Sequence, residues 1–179
     1  MPEKLSPRQR WRLDTQTRAV AELVGDRREF TLLDLGCEFG HAAEHIVRAW
    51  PAAAVTGVDA HAETLAACRA RRRDCYSRLI EADVLGWLAS APRADVILAA
   101  ELIEHLEAEE GARLVKLCLD RAKLGLVVTS PIGFAPQGAI YDNPWQVHRS
   151  GWTVSGLEAL DLRLFDLRTA GIGCAVMIG

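Results

Sequence analysis

From Phe30 onward the chain alternates short aliphatic runs with longer amphipathic stretches, and this alternation restricts the available folds more than any other feature of the sequence. Thr31 to Leu35, Ala54 to Val58, Ser77 to Glu81, Asp95 to Ala99 and Gly125 to Ser130 are aliphatic-rich and closed by turn or polar residues, so each reads as a strand. The segments between them are long enough for helical crossovers. In Ala42 to Trp50 the residues Ala42, Ala43, Ile46, Val47 and Trp50 share a helical face, and in Ala112 to Lys123 Leu114, Val115, Cys118, Leu119 and Ala122 do the same. A third helix starts near Ala62 and closes on Arg69, Arg71, Arg72 and Arg73, cations suited to the carbonyl end of a helix dipole. Strands joined by crossovers of this length run parallel, so the chain is α/β.

The two ends differ from this repeat. Residues 1–29 read as a helical cover, with Trp11, Leu13, Val20, Leu23 and Val24 recurring among charged positions until Gly25 stops the pattern; residues 30–179 hold the sheet. Leu162 to Leu167 and Cys174 to Ile178 both read as strands, yet only Arg168 to Gly173 separates them, too few residues for a parallel crossover. The chain is therefore expected to end in an antiparallel hairpin, preceded by a helix near Val154 to Leu160.

The 179 residues carry a net charge of −3, which gives no positive field to attract nucleic acid. No apolar run approaches a bilayer span, so a soluble cytoplasmic protein is expected. Cys37, Cys68, Cys75, Cys118 and Cys174 are scattered and never form C-x-x-C, which speaks against a disulfide framework or a thiolate zinc site. The sequence is silent on oligomeric state.

The sharpest motif is Leu32-Leu33-Asp34-Leu35-Gly36-Cys37-Glu38-Phe39-Gly40, a buried strand running into a glycine turn where a ligand can approach the backbone. It lacks G-x-G-x-x-G, and Asp34 would repel a pyrophosphate, so a cationic or zwitterionic ligand fits better. Asp59 closes the second strand, where it either accepts ribose hydroxyls or caps the helix from Ala60 onward. Asp83 ends the third strand region, at the place where an adenine amino group would donate. Three acids at the carboxyl ends of three successive strands form a constellation suited to a nucleoside-type cofactor.

In motif order, from Thr31 to the terminal hairpin, the chain resembles the class I methyltransferases that use S-adenosylmethionine. The resemblance implies a Rossmann-like, doubly wound seven-stranded sheet, five parallel strands and then the hairpin, with helices on both faces. It also implies S-adenosylmethionine as cofactor, with Asp34, Gly36, Cys37 and Gly40 shaping the loop around its methionine half. Asp59 and Ala60 would serve the ribose, Asp83 and Val84 the adenine, and Ala99 the edge of the fourth strand. Where the family often has another glycine, this chain has Glu38.

After the fourth strand, Glu101-Leu102-Ile103-Glu104-His105-Leu106 resembles the family's E-x-x-E-H-L segment; if it is helical, Glu101, Glu104 and His105 share one face. These side chains either make structural hydrogen bonds, with Glu101 facing the cofactor, or hold a divalent metal with His148 as fourth ligand. His148 lies in Tyr141-Asp142-Asn143-Pro144-Trp145-Gln146-Val147-His148-Arg149-Ser150-Gly151-Trp152, a long loop expected over the cofactor edge. Tyr141, Trp145, Gln146 and Trp152 are the candidate substrate-binding residues, and His148, His105 and Glu101 the candidate catalytic ones. The pattern is similar to a bacterial and archaeal branch of unassigned substrate. The expected function is methyl transfer to an oxygen or nitrogen of a small-molecule or sugar-like acceptor, with a divalent metal open as a second cofactor but not favoured. The alternatives are a metal-dependent RNA-end 2′-O-methyltransferase using Glu101, Glu104, His105 and His148, and a non-catalytic cofactor-binding regulator.

Overall fold

The structure, a computed structural model, describes residues 5–140, 142–170 and 173–179. Its seven strands are β1 (Thr31–Leu35), β2 (Ala54–Asp59), β3 (Arg78–Glu81), β4 (Ala94–Ala100), β5 (Ala122–Pro131), β6 (Arg163–Arg168) and β7 (Cys174–Ile178). They form one sheet in the order β3-β2-β1-β4-β5-β7-β6. The first five pair in parallel, and β7 pairs antiparallel with both β5 and β6, as the short Arg168 to Gly173 connection requires. The strand order reverses between β1 and β4, which is where ligands collect in open α/β sheets.

Both faces are covered. Alternate residues of β1 serve opposite layers: Leu33 and Leu35 pack with Ile97, Leu126 and Val128 beneath α4 (Val84–Leu88), α5 (Ala108–Arg121) and α6 (Val154–Glu158). Leu32 packs with Val55, Leu98, Val127 and Val176 beneath α1 (Pro7–Val24), α2 (His41–Ala49) and α3 (Ala62–Arg72). Burying each such aliphatic side chain stabilises the fold by roughly 1.5–3 kcal/mol. Two-sided burial explains why the central strands are continuous apolar runs rather than alternating ones.

Helix α1 starts at a capping box in which the Ser6 hydroxyl accepts from the Gln9 amide and the Gln9 side chain accepts from the Ser6 amide, with Pro7 at the first helical position. Gly25 stops it at φ 57°, as its sequence position suggests. A helix start, a short helix and a cap differ from the sequence reading. Helix α5 begins at Ala108 because Glu107 and Glu110 form a further capping box, and it gives way at Ala122 to β5, which pairs with Ala94. Helix α4 has only five residues, too short for periodicity to reveal. The helix from Ala62 is capped by His61, whose Nδ1 accepts from Thr64, so Asp59 is not its cap.

Candidate functional site

At the reversal point the loop after β1 turns through Gly36 (φ 65°) and Gly40 (φ 81°), left-handed conformations that glycine adopts without strain. The Gly36 and Cys37 amides donate to the Val58 carbonyl at 2.8 and 3.1 Å, tying this loop to the end of β2. Glu38 also adopts a positive φ, 47°, the conformation a glycine would otherwise supply. Its backbone amide donates to Asp59 Oδ2 at 2.9 Å, while Asp59 Oδ1 accepts from the His61 amide at 2.9 Å. Asp59 thus braces the turns after β1 and β2 together. Burial raises its pKa, and the two amides oppose that rise. Ala60 occupies the half-buried turn between them.

Asp34 is only 1% exposed and accepts a 2.7 Å hydrogen bond from the Tyr76 hydroxyl. Burial pushes its pKa up to about 7; the Tyr76 bond opposes the shift and the Asp59 charge adds to it. Because the native pKa lies above the ordinary 3.8, protonated Asp34 favours the fold; this contribution is complete below about pH 4 and lost as pH rises towards 7. Asp34→Asn is expected to flatten that fall, which is on the order of 4 kcal/mol. Urea denaturation of both proteins from pH 4 to 7.5 checks this, and parallel stability curves would contradict it.

The remaining cofactor candidates are placed unequally. Asp83 is exposed and caps α4, accepting from the Gly86 amide at 2.7 Å. Val84 packs into the core beside it. The Cys37 side chain is buried against Cys68, which with burial pushes its thiol well above the ordinary range, so only the Cys37 backbone is left to line the loop. Ala99 is likewise a core residue, one position short of the strand end.

The segment after β4 is not an α-helix. Glu101 sits at φ 51° and Ile103–His105 form a single 3-10 turn, so the expected shared face of Glu101, Glu104 and His105 does not form. Instead the Glu101 carboxylate turns to α1, meeting Arg12 at 2.7 Å and Arg8 at 3.5 Å, with the Cys174 thiol 3.5 Å away. Glu104, His105 and His148 come together without it, offering ligand atoms all within 4.8 Å of one another. The Arg149 and Ser150 amides donate to the Glu104 carbonyl at 2.8 and 3.2 Å, and the Ser150 hydroxyl donates to the Ile103 carbonyl, stapling the long loop onto the turn. That staple brings the two imidazoles to a centroid separation of 4.7 Å.

Each imidazole is oriented through Nδ1, which lies 3.3 Å from the Val147 carbonyl in His105 and 2.5 Å from the Ala135 carbonyl in His148. A carbonyl only accepts, so Nδ1 carries a proton, and in a neutral ring the lone pair is then on Nε2. Burial, with the neighbouring His148, lowers the pKa of His105 and so favours its neutral form. Glu104 is 2% exposed, and neither carboxylate oxygen meets a hydrogen-bond donor at ordinary geometry. Burial, reinforced by the Glu101 charge, raises its pKa well above the usual carboxylate range.

The candidate substrate residues separate. Trp152 is a core residue, 8% exposed, with its backbone bridged to Ile132 and Gly133 and its indole set against Gly111 of α5. It is therefore not an open binding surface. Trp145 is 48% exposed and Gln146 half-buried on a 3-10 turn, with Phe134, 59% exposed, on the same long segment. Tyr141 lies outside the described residues. Arg8, Arg12 and Tyr76 were not anticipated as neighbours of the site; Tyr76 carries a weak signal as an isolated aromatic before β3, and the two arginines carry none.

A sequence profile described as "Methyltransferase domain" matches residues 32–125, more than half of the chain. The chain belongs to this methyltransferase domain family. The domain is 38% identical over 89 residues to a trans-aconitate 2-methyltransferase of Rhodopseudomonas palustris (strain BisB5), covering 48% of this chain and 34% of that protein. It is 33% identical over 98 residues to the Klebsiella pneumoniae (strain 342) enzyme of the same name, covering 53% and 38%. The chain thus spans little more than a third of these relatives' length. Among solved structures, the N-terminal domain of EvdMO1, crystallised in the presence of SAH and D-fucose, superposes with a TM-score of 0.71 at 18% identity, covering 94% of this chain and 82% of that one. The N-methyltransferase NodS from Bradyrhizobium japonicum WM9 gives 0.70 at 17% identity, covering 97% and 96%. Both share the fold. Among the described residues no helix is long and apolar enough to cross a membrane.

Proposed function

We propose that the domain binds S-adenosylmethionine at the reversal point between β1 and β4 and transfers its methyl group to an oxygen or nitrogen of a small, sugar-like or carboxylate-bearing acceptor. The observation that carries this reading is Asp59, which holds the Gly36–Gly40 turn at the carboxyl edge of the sheet and keeps acceptor capacity to spare. A carboxylate offers about four lone-pair sites, of which the two backbone amides occupy one on each oxygen. The others suit a ribose diol, and the left-handed glycines let the backbone come close to the rest of the ligand.

S-adenosylmethionine would supply an electrophilic methyl carbon on a sulfonium. The protein's part is alignment and exclusion of water, which can contribute on the order of 7–11 kcal/mol in favourable cases. The loop carrying His148 covers the turn at Glu104, and the Nε2 lone pairs of His105 and His148 are suited to orient or ionise an acceptor group. Trp145 and Phe134 offer exposed apolar surface on the same segment for the acceptor's body.

The test is transfer of labelled methyl to a panel of polyols, hydroxy acids, polycarboxylates and amines. His148→Ala is expected to lower kcat/KM roughly 100-fold or more on the acceptor found, with affinity for S-adenosylhomocysteine unchanged. Full turnover in His148→Ala would remove the residue from the reaction. The four-residue metal set of the RNA-end enzymes has no support here, because Arg12 and Arg8 hold Glu101 apart from the other three.

A further inference from the structure

We propose that Glu104, His105 and His148 form a three-ligand site for a divalent cation of borderline softness, with Zn²⁺ or Co²⁺ as representatives. Two imidazoles and one carboxylate suit such ions and leave coordination positions open. The ligand atoms of the three residues lie within 4.8 Å of one another, a span that one ion can bridge.

Two independent observations point to a ligand. Glu104 is 2% exposed and neither carboxylate oxygen meets a donor at ordinary hydrogen-bond geometry, so the buried carboxyl group lacks the partners such groups normally have, and a bound cation would supply one. Each histidine is also set up from behind: Nδ1 of His105 faces the Val147 carbonyl and Nδ1 of His148 the Ala135 carbonyl. A backbone carbonyl at Nδ1 leaves Nε2 as the nitrogen available to a ligand, the role that outer hydrogen bonds play behind metal-ligating histidines. Residues 148–150 are held in this position by the His148 amide on the Gln137 carbonyl and by the amides of Arg149 and Ser150 on the Glu104 carbonyl, so the site is assembled by backbone bonds.

Resting on the methyl-transfer reading, this assignment makes His148 a positioning residue. Bound there, the cation would hold the acceptor through its open positions and lower the pKa of a hydroxyl, whose proton passes to solvent water as the oxygen bonds to the methyl carbon and the carbon–sulfur bond breaks to leave the neutral thioether. An acceptor with two adjacent oxygens, a vicinal diol or an α-hydroxy acid, would then be preferred over a simple alcohol.

The test needs neither cofactor nor acceptor. The full chain is titrated with Zn²⁺ by calorimetry and with Co²⁺ by visible absorption, using wild type, Glu104→Gln, His148→Ala and Glu101→Gln, each checked by thermal melting for retention of the fold. The expected result is one equivalent per chain, with visible Co²⁺ bands and no thiolate charge-transfer band. Affinity should drop about 100-fold or more in Glu104→Gln and His148→Ala, and stay within a few-fold of wild type in Glu101→Gln. Three results would overturn the site: no stoichiometric binding by wild type, binding retained in both ligand variants, or binding lost in Glu101→Gln. Methyl transfer by a metal-free, chelator-treated chain would overturn the cation's role in the reaction while leaving the methyl-transfer reading intact.

Discussion

Trp152→Ala is expected to destabilise the domain by about 3–5 kcal/mol, the range for truncating a buried tryptophan, and to lower Tm by roughly 10 °C. The indole fills the contact between the 132–133 turn and the start of α5, where it replaces any side chain at position 111. A Cβ built on Gly111 would lie 2.6 Å from Trp152 Cζ2, so glycine is required there for close approach. Trp152→Phe should cost far less, because Trp152 Nε1 has no hydrogen-bond partner to lose. Thermal denaturation of the two variants separates a core role from a substrate role. If Trp152→Ala melts with wild type and changes only an acceptor's KM, the packing account fails.

The same residue shows where sequence reading stops. The five parallel strands and the closing hairpin were legible because two-sided burial makes each strand an uninterrupted aliphatic run, and because connection length alone decides parallel from antiparallel. The glycine turn after β1 and the place of Asp59 as the last residue of β2 were legible for a similar reason, since strand ends can be read from where the aliphatic runs stop. Trp152 was not, because an aromatic in a turn-rich segment gives no sign of whether a distant helix offers it a glycine. Glu101 was misread because its conformation depends on Arg12, 89 residues away in sequence, whose guanidinium draws the carboxylate towards α1. The shared face of Glu101, Glu104 and His105 was conditional on a helix, and the left-handed backbone at Glu101 leaves only a 3-10 turn there. His148 was singled out for its loop, but its pairing with His105 arises from amides donating to the Glu104 carbonyl, a contact no side-chain pattern encodes.

The largest expected effect on binding is at Asp59. Asp59→Ala removes the carboxylate that would accept from a ribose diol, and charge-assisted hydrogen bonds of this kind contribute about 1.5–3 kcal/mol each. It also frees the Glu38 and His61 amides, so the turn after β1 loses its tie to the end of β2. Glu38 then keeps its left-handed backbone, which costs about 1–2 kcal/mol in a residue other than glycine, without the bond that offsets it. Both effects act on the ligand edge and leave the two hydrophobic layers untouched. Affinity should therefore fall by more than 100-fold while the melting transition stays cooperative.

Calorimetric titration of the chain with S-adenosylhomocysteine, wild type beside Asp59→Ala, tests the central claim most directly. The account predicts one site per chain with micromolar or tighter affinity in wild type and no measurable heat in the folded variant. Absence of binding by wild type, or equal binding by both proteins, would contradict the placement of the cofactor at the reversal point between β1 and β4.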